Sequence, residues 1–132
     1  MTDHATEPSP PDAARALRGQ RAYLSGLNAE GRVTDHYLAL GYERLEERWR
    51  GAAGEIDLIF CKDETFVFVE VKASKRFAGA AEHLRSAQMK RIMRSAENYI
   101  GQQPKGLLSD MRIDVALVDE TGAIEVIENA LM

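Results

Sequence analysis

Three side chains set the chemical problem. Asp57 interrupts the apolar run Glu55-Ile56-Asp57-Leu58-Ile59-Phe60-Cys61, and Glu70 and Lys72 interrupt the end of Thr65-Phe66-Val67-Phe68-Val69-Glu70-Val71-Lys72. A charge inside an apolar strand is costly unless it is paired, solvated or bound to a metal. Glu70 and Lys72 stand two apart and therefore point to one face of a strand. With Cys61 opposite Phe66, a hairpin closed around residues 62–65 places Asp57 opposite Glu70, and opposed antiparallel residues have Cβ atoms ~4.5–5.5 Å apart. Two carboxylates that close repel each other and favour protonation of one. A hard divalent cation resolves the conflict: oxygen ligands suit Mg2+, with water and substrate phosphate filling its remaining positions. The ammonium of Lys72 beside it would orient an attacking water, which outlines a site for phosphodiester hydrolysis. The competing reading is a surface ion-pair ladder across a hairpin.

Glu30 is a fourth candidate. Glu30, Val33 and Tyr37 are spaced three and four apart and share one helix face. A carboxylate on a core-facing stripe either serves the site or is a first-turn acid held by the helix dipole.

The elements that must position these residues can be read in order. Residues 1–11 are polar and Pro-rich and read as a disordered tail, leaving 12–132 as a single domain. Residues 12–25 carry a weak helical stripe. A better-marked helix follows, with Asn28 as N-cap, Val33, Tyr37 and Leu40 on one face, Ala29 at its edge, and Gly41 as the left-handed stop. Residues 42–49, 55–61 and 65–71 read as strands, and 82–101 as a helix with Leu84, Met89, Ile92, Met93, Ala96, Tyr99 and Ile100 on its apolar side. Residues 111–118 and 123–128 complete the set, around the turn Asp119-Glu120-Thr121-Gly122. The expected class is α/β, a mixed central sheet flanked by helices.

The 132 residues carry 17 Lys and Arg against 21 Asp and Glu, a net charge of −4. The sum hides an asymmetry. Between Lys72 and Arg94 there are seven basic residues (Lys72, Lys75, Arg76, Arg85, Lys90, Arg91, Arg94) and one acid, Glu82, so this segment is +6 and the remainder −10. A basic block inside an acidic chain is either the solvated face of an amphipathic helix or a patch that directs any nucleic acid to one face. One cysteine excludes a disulfide framework and a Cys-rich zinc site. No stretch approaches the ~18 apolar residues of a membrane span, and the first dozen residues do not resemble a signal peptide, so a cytoplasmic protein is expected. No Gly-rich phosphate loop or dinucleotide fingerprint is present.

The motifs resemble a known family. Gly54-Glu55-Ile56-Asp57-Leu58-Ile59 and Val67-Phe68-Val69-Glu70-Val71-Lys72 are similar to the hallmark of the YraN-type family of bacterial proteins, within the restriction-endonuclease-like PD-(D/E)xK superfamily. The resemblance runs from about Gly26 to the C-terminus. It takes in Ala29-Glu30, Trp49-Arg50, Lys90-Arg91-Ile92 through Ala96 and Tyr99, Arg112-Ile113-Asp114-Val115, and Ile127-Glu128-Asn129-Ala130. It implies an αβββαβ core, Mg2+ or Mn2+ as cofactor, and nucleic acid, DNA ahead of RNA, as substrate. It makes Asp57 and Glu70 the metal ligands with the Val71 carbonyl completing the shell, Lys72 the catalytic lysine, and Glu30 the helix acid that supports the site. Lys75, Arg76, Arg85, Gln88, Lys90, Arg91 and Arg94 would face the nucleic acid. Two positions depart from the family pattern: Ala73-Ser74 stands where a Thr-Arg pair is usual, and Gln88 where Lys is usual.

Three functions are therefore weighed: a metal-dependent endonuclease, an inactive nucleic-acid-binding module of the same fold, and a protein-interaction subunit. A chain this small has little surface for a long substrate, and a homodimer is compatible with it. Trp49, Tyr37 and Tyr99 read as packing residues, Cys61 as inert, and His36 as a helix-surface residue. His4, His36 and His83 lack metal-ligand spacing. Asp114 is left open between a structural acid and a metal ligand.

Overall fold

The computed structural model describes residues 28–73 and 86–130. The expected tail 1–11, the expected helix 12–25, and Leu84, His4, His83, Lys75, Arg76 and Arg85 lie outside the described residues. Helix α1 covers residues 28–39. Strands β1 (Glu43–Gly51), β2 (Gly54–Lys62) and β3 (Thr65–Ala73) follow, then helix α2 (Ser86–Ile100), β4 (Asp110–Val118) and β5 (Ile124–Ile127). The five strands form one mixed sheet in the order β1-β2-β3-β4-β5. The β3–β4 pair is parallel and the other three are antiparallel. Parallel neighbours need a long crossover, and α2 supplies it. The sheet between two helices matches the restriction-endonuclease-like αβββαβ order.

Each helix covers one face. Ala29, Val33 and Tyr37 of α1 pack on Leu58, Phe60, Val67, Val69, Ala116 and Val118. Ile92, Ala96, Tyr99 and Ile100 of α2 pack on Ile56, Ile59, Phe68 and Ile113. β4 is buried from Ile113 to Val118, which matches the apolar run Val115-Ala116-Leu117-Val118 at its end. β1 reads as a charged strand because it is an edge. Its Glu and Arg side chains, and the bulge between Arg44 and Glu46, protect it from pairing with another chain.

The hairpin register is as expected: Cys61 pairs with Phe66 and Leu58 with Val69. The turn is tighter than expected. Lys62 also pairs with Thr65, leaving a two-residue turn in which Asp63 (φ 51°) and Glu64 (φ 66°) are both left-handed. That is the type I′ geometry whose twist suits a hairpin. α1 stops as its sequence says. Gly41 has φ 93°, its N–H bonds Leu38 O at 3.0 Å, and the Tyr42 N–H reaches back to Tyr37 O at 3.1 Å, a Schellman closure. Two details differ. Asn28, expected as cap, is already helical. Leu40, expected on the core face, is 52% exposed, because the helix has ended before it and its side chain no longer follows the stripe of Val33 and Tyr37.

Candidate functional site

The site arises where the sheet breaks its alternation. Leu58 packs toward α1, so a regular strand would send Ile56 there too, yet Ile56 packs toward α2. β1 switches at the matching point. Its pairing runs Glu47 with Leu58, then Trp49 with Ile56, leaving Arg48 and Asp57 across from one another without ladder pairing. Arg48 takes φ 53°, an uncommon conformation for a residue with a Cβ. The β2–β3 ladder stops at Leu58–Val69, one pair short of Asp57 and Glu70. The expected direct opposition is therefore replaced by a fork between the strands.

Asp57 fills that fork. Its Oδ2 accepts the Val71 N–H at 2.8 Å, standing in for a ladder carbonyl. Burial pushes the Asp57 carboxyl up first, and the neighbouring Glu70 carboxylate adds to it, so that the pKa rises from 3.8 to about 7. Glu70 faces α2. Its Oε2 accepts Gln88 Nε2 at 3.0 Å and lies 3.6 Å from Lys72 Nζ. Glu70, Lys72 and Gln88 are all partly buried.

Glu30 reaches the same region from α1. Arg48 Nε donates to its Oε1 at 3.1 Å. Burial raises its pKa against the opposing pull of the Arg48 bond, and the Asp57 charge raises it further. Glu30 thus stands beside the carboxylate pair, bonded to an arginine. Among the described residues no group of three or more His, Cys, Asp and Glu side chains is arranged to hold a metal ion. The donor set is two carboxylates, with hydrogen bonds from the protein to Asp57 Oδ2 and Glu70 Oε2. That set fits Mg2+, which is commonly held by one or two carboxylates together with waters and substrate phosphate.

The basic residues divide. Arg91 lines a cavity of about 280 Å³ with Gly54, Glu55, Asp57 and Glu70. Lys90 and Arg94 are exposed on the solvent stripe of α2, which they share with Glu97. Only Gln88 and Arg91, among the described members of the expected nucleic-acid face, reach the carboxylates.

Asp114 resolves as a structural acid. It is fully buried, and accepts Tyr37 Oη at 2.7 Å, Arg112 Nε at 2.8 Å and Nη2 at 3.0 Å, and Asn129 N at 3.1 Å. Tyr37 stacks on Phe60 at 4.5 Å between ring centroids, and Tyr99 meets Trp49 edge-on at 5.2 Å. Both tyrosines and the tryptophan are packing residues, as expected. Cys61 is partly buried, and burial raises its thiol pKa. The sequence reading missed Arg48 as the partner of Glu30, and Ser95 and Gly54 beside Arg91. No spacing rule marks them, because they meet only through the break in β1 and β2.

Comparison with known proteins gives the family. The model of the Uncharacterised protein family UPF0102 matches residues 29–118. The chain belongs to UPF0102. It is 48% identical over 122 residues to a UPF0102 protein of Roseobacter denitrificans, covering 92% of this chain and 95% of that one. A UPF0102 protein of Ruegeria pomeroyi is 50% identical over 117 residues, covering 89% and 95%. One from Dinoroseobacter shibae is 42% identical over 124 residues, covering 94% and 92%. UPF0102 is the family to which the YraN-type motifs pointed. Among the described residues of this UPF0102 chain, no helix is long and apolar enough to cross a membrane.

The Asp57 shift has a sign that can be checked. Its folded pKa, about 7, lies above the unfolded value of 3.8, so the folded state holds the extra proton between them. The stability from this group is complete below about pH 4 and is lost as pH rises through about 7. In EDTA, Asp57→Asn should match wild type at pH 4 and have the higher Tm at pH 8. Thermal melts across pH read this directly, and a wild type that melts higher than Asp57→Asn at pH 8 contradicts the assigned shift.

Proposed function

We propose that the protein is a metal-dependent nuclease that hydrolyses phosphodiester bonds in nucleic acid, with DNA as the first candidate. The observation that carries this reading is the convergence of Asp57, Glu70 and Lys72 at the β2–β3 fork. Asp57 and Glu70 would hold the cation, with the Val71 carbonyl on the same strand end. A divalent cation there neutralises the carboxylate pair and polarises the phosphate. Lys72 orients the attacking water and receives negative charge developing on the phosphate oxygens. Gln88 fixes the Glu70 carboxylate from α2. Glu30, anchored by Arg48, completes the acidic wall next to Asp57.

The experiment is incubation with branched, flapped and single-stranded DNA and RNA, with Mg2+ or Mn2+ and with EDTA. Cleavage should require the cation. Binding should weaken steeply with salt, because basic side chains displace counterions from the backbone. Removing Lys90 and Arg94 together should lower the slope of log affinity against log salt by about 2 and leave the cleavage pattern unchanged. Filter binding from 50 to 200 mM salt measures it, and an unchanged slope removes these two residues from the interface.

One observation favours a second reading. Gln88 Nε2 donates to Glu70 Oε2 at 3.0 Å and Lys72 Nζ lies 3.6 Å from the same oxygen, so both compete with a cation for it, as suits a module that binds nucleic acid without turnover. Salt-sensitive binding with no cleavage under either cation would select it.

A further inference from the structure

We propose that α2 carries a phosphate seat beside the carboxylates, with Arg91 as the residue that grips the non-bridging oxygens of one phosphodiester over the Gly54 backbone. The inference rests on the proposed phosphodiester chemistry and says where the substrate's own charge is received.

The starting point is an arginine left unused. Three acids line its cavity: Glu55, Asp57 and Glu70. Each is engaged elsewhere. Glu55 lies 3.6 Å from Arg50, Asp57 takes the Val71 N–H, and Glu70 takes Gln88 and Lys72. Among the described residues Arg91 has no ion-pair or hydrogen-bond partner. A guanidinium beside three carboxylates but paired to none is available to a ligand, and its planar fork matches the oxygens of a phosphate.

The surroundings fit the same ligand. Ser95 lies one helical turn beyond Arg91, behind Gly54 and outside the cavity lining, and its buried hydroxyl has no partner among the described residues. Gly54, with φ 145°, forms the facing wall. A methyl group there would stand 3.4 Å from both Arg91 Cδ and Ser95 Oγ. Glycine suits that φ and brings backbone to the cleft. Lys90 and Arg94, on the solvent stripe, do not enter it. A strand whose phosphate sits on Arg91 would have the neighbouring carboxylates, and any cation on them, within the same cavity.

The test separates this seat from the metal reading. The full-length Asp57→Asn/Glu70→Gln variant in EDTA has no cation and no carboxylate repulsion in the cleft. Inorganic phosphate and a short single-stranded thymidine oligonucleotide are each titrated into it, followed by 15N–1H NMR. Both should shift the Gly54 N–H and the Arg91 side-chain Nε–H, the oligonucleotide at lower concentration. Adding Arg91→Ala should weaken both by about tenfold or more, while Lys105→Ala, which lies outside this cavity, should not change the shifts at Gly54. Unchanged affinity in Arg91→Ala overturns the seat, as do shifts confined to the Lys90–Arg94 stripe. Phosphate binding without oligonucleotide binding overturns it as a strand site. A failure of wild type to bind Mg2+ or Mn2+ would strike the metal reading and leave this titration untouched.

Discussion

Asp57→Asn should lower the proposed cation-dependent cleavage by at least about 100-fold, with the fold intact. The size follows from what the side chain does. A bound cation contributes several kcal/mol to stabilising charge in phosphoryl transfer, and each 1.4 kcal/mol is a factor of ten in rate. Asp57 is the ligand candidate that leans on both strands, with Oδ2 on the Val71 N–H at 2.8 Å and its carboxyl against Glu70. Asn keeps an oxygen for the Val71 amide, so the fork should survive while the charge that would hold the cation is lost. Initial rates on the best substrate, with circular dichroism as a control for folding, measure it. A variant that is folded and cuts as fast as wild type removes Asp57 from the chemistry. Lys72→Ala should lower the rate with little change in cation affinity, because it acts on the water and the phosphate.

Asp114→Ala destabilises the protein by about 3–5 kcal/mol, the cost of breaking a buried charged pair by removing one partner. Asp114 is completely buried and accepts bonds from α1 through Tyr37, from its own strand through Arg112, and from Asn129 after β5. Its loss strands the Tyr37 hydroxyl and weakens the tie between α1 and the sheet. Burial holds the Tyr37 hydroxyl far above its ordinary pKa, and the bond to Asp114 adds to this, so the hydroxyl stays a donor throughout the working pH range. Tyr37→Phe should cost less, about 1 kcal/mol, since the aromatic stack on Phe60 remains. Urea unfolding of the three proteins ranks them. An Asp114→Ala protein within about 1 kcal/mol of wild type would show that the network is not holding α1.

These two acids show what the sequence could and could not convey. Asp57, Glu70 and Lys72 stood out because each breaks an apolar strand, and a short turn with period-two alternation sets the hairpin register. The register Cys61–Phe66 is that reading. Beyond Leu58 it fails, because Arg48 adopts a left-handed φ and both strands change face together. No residue type announces that switch: arginine rarely adopts such a φ. The same break puts Glu30 against Arg48, so its pairing was illegible although its helix face was not. Asp114, like Asp57 a charge in an apolar strand, reads from the sequence equally as a structural acid or a metal ligand. Only tertiary partners tell the two apart: Asp114 is ringed by donors, whereas Asp57 faces another carboxylate. The basic block was legible as a charge asymmetry. Its division, with Arg91 in the cleft and Lys90 and Arg94 outside, depends on how α2 is rotated onto Ile56, Ile59 and Phe68. Leu40 was misplaced for a local reason, since the Schellman closure ends the helix before its side chain can follow the stripe.

Asp57 and Glu70 are proposed to hold a divalent cation together. Isothermal titration of Mn2+ into the full-length protein at pH 8, where the Asp57 carboxyl is ionised, tests it most directly. One ion should bind per chain in wild type, with no measurable binding in Asp57→Asn/Glu70→Gln. Wild type that binds no ion, or a double variant that binds it equally well, would contradict it.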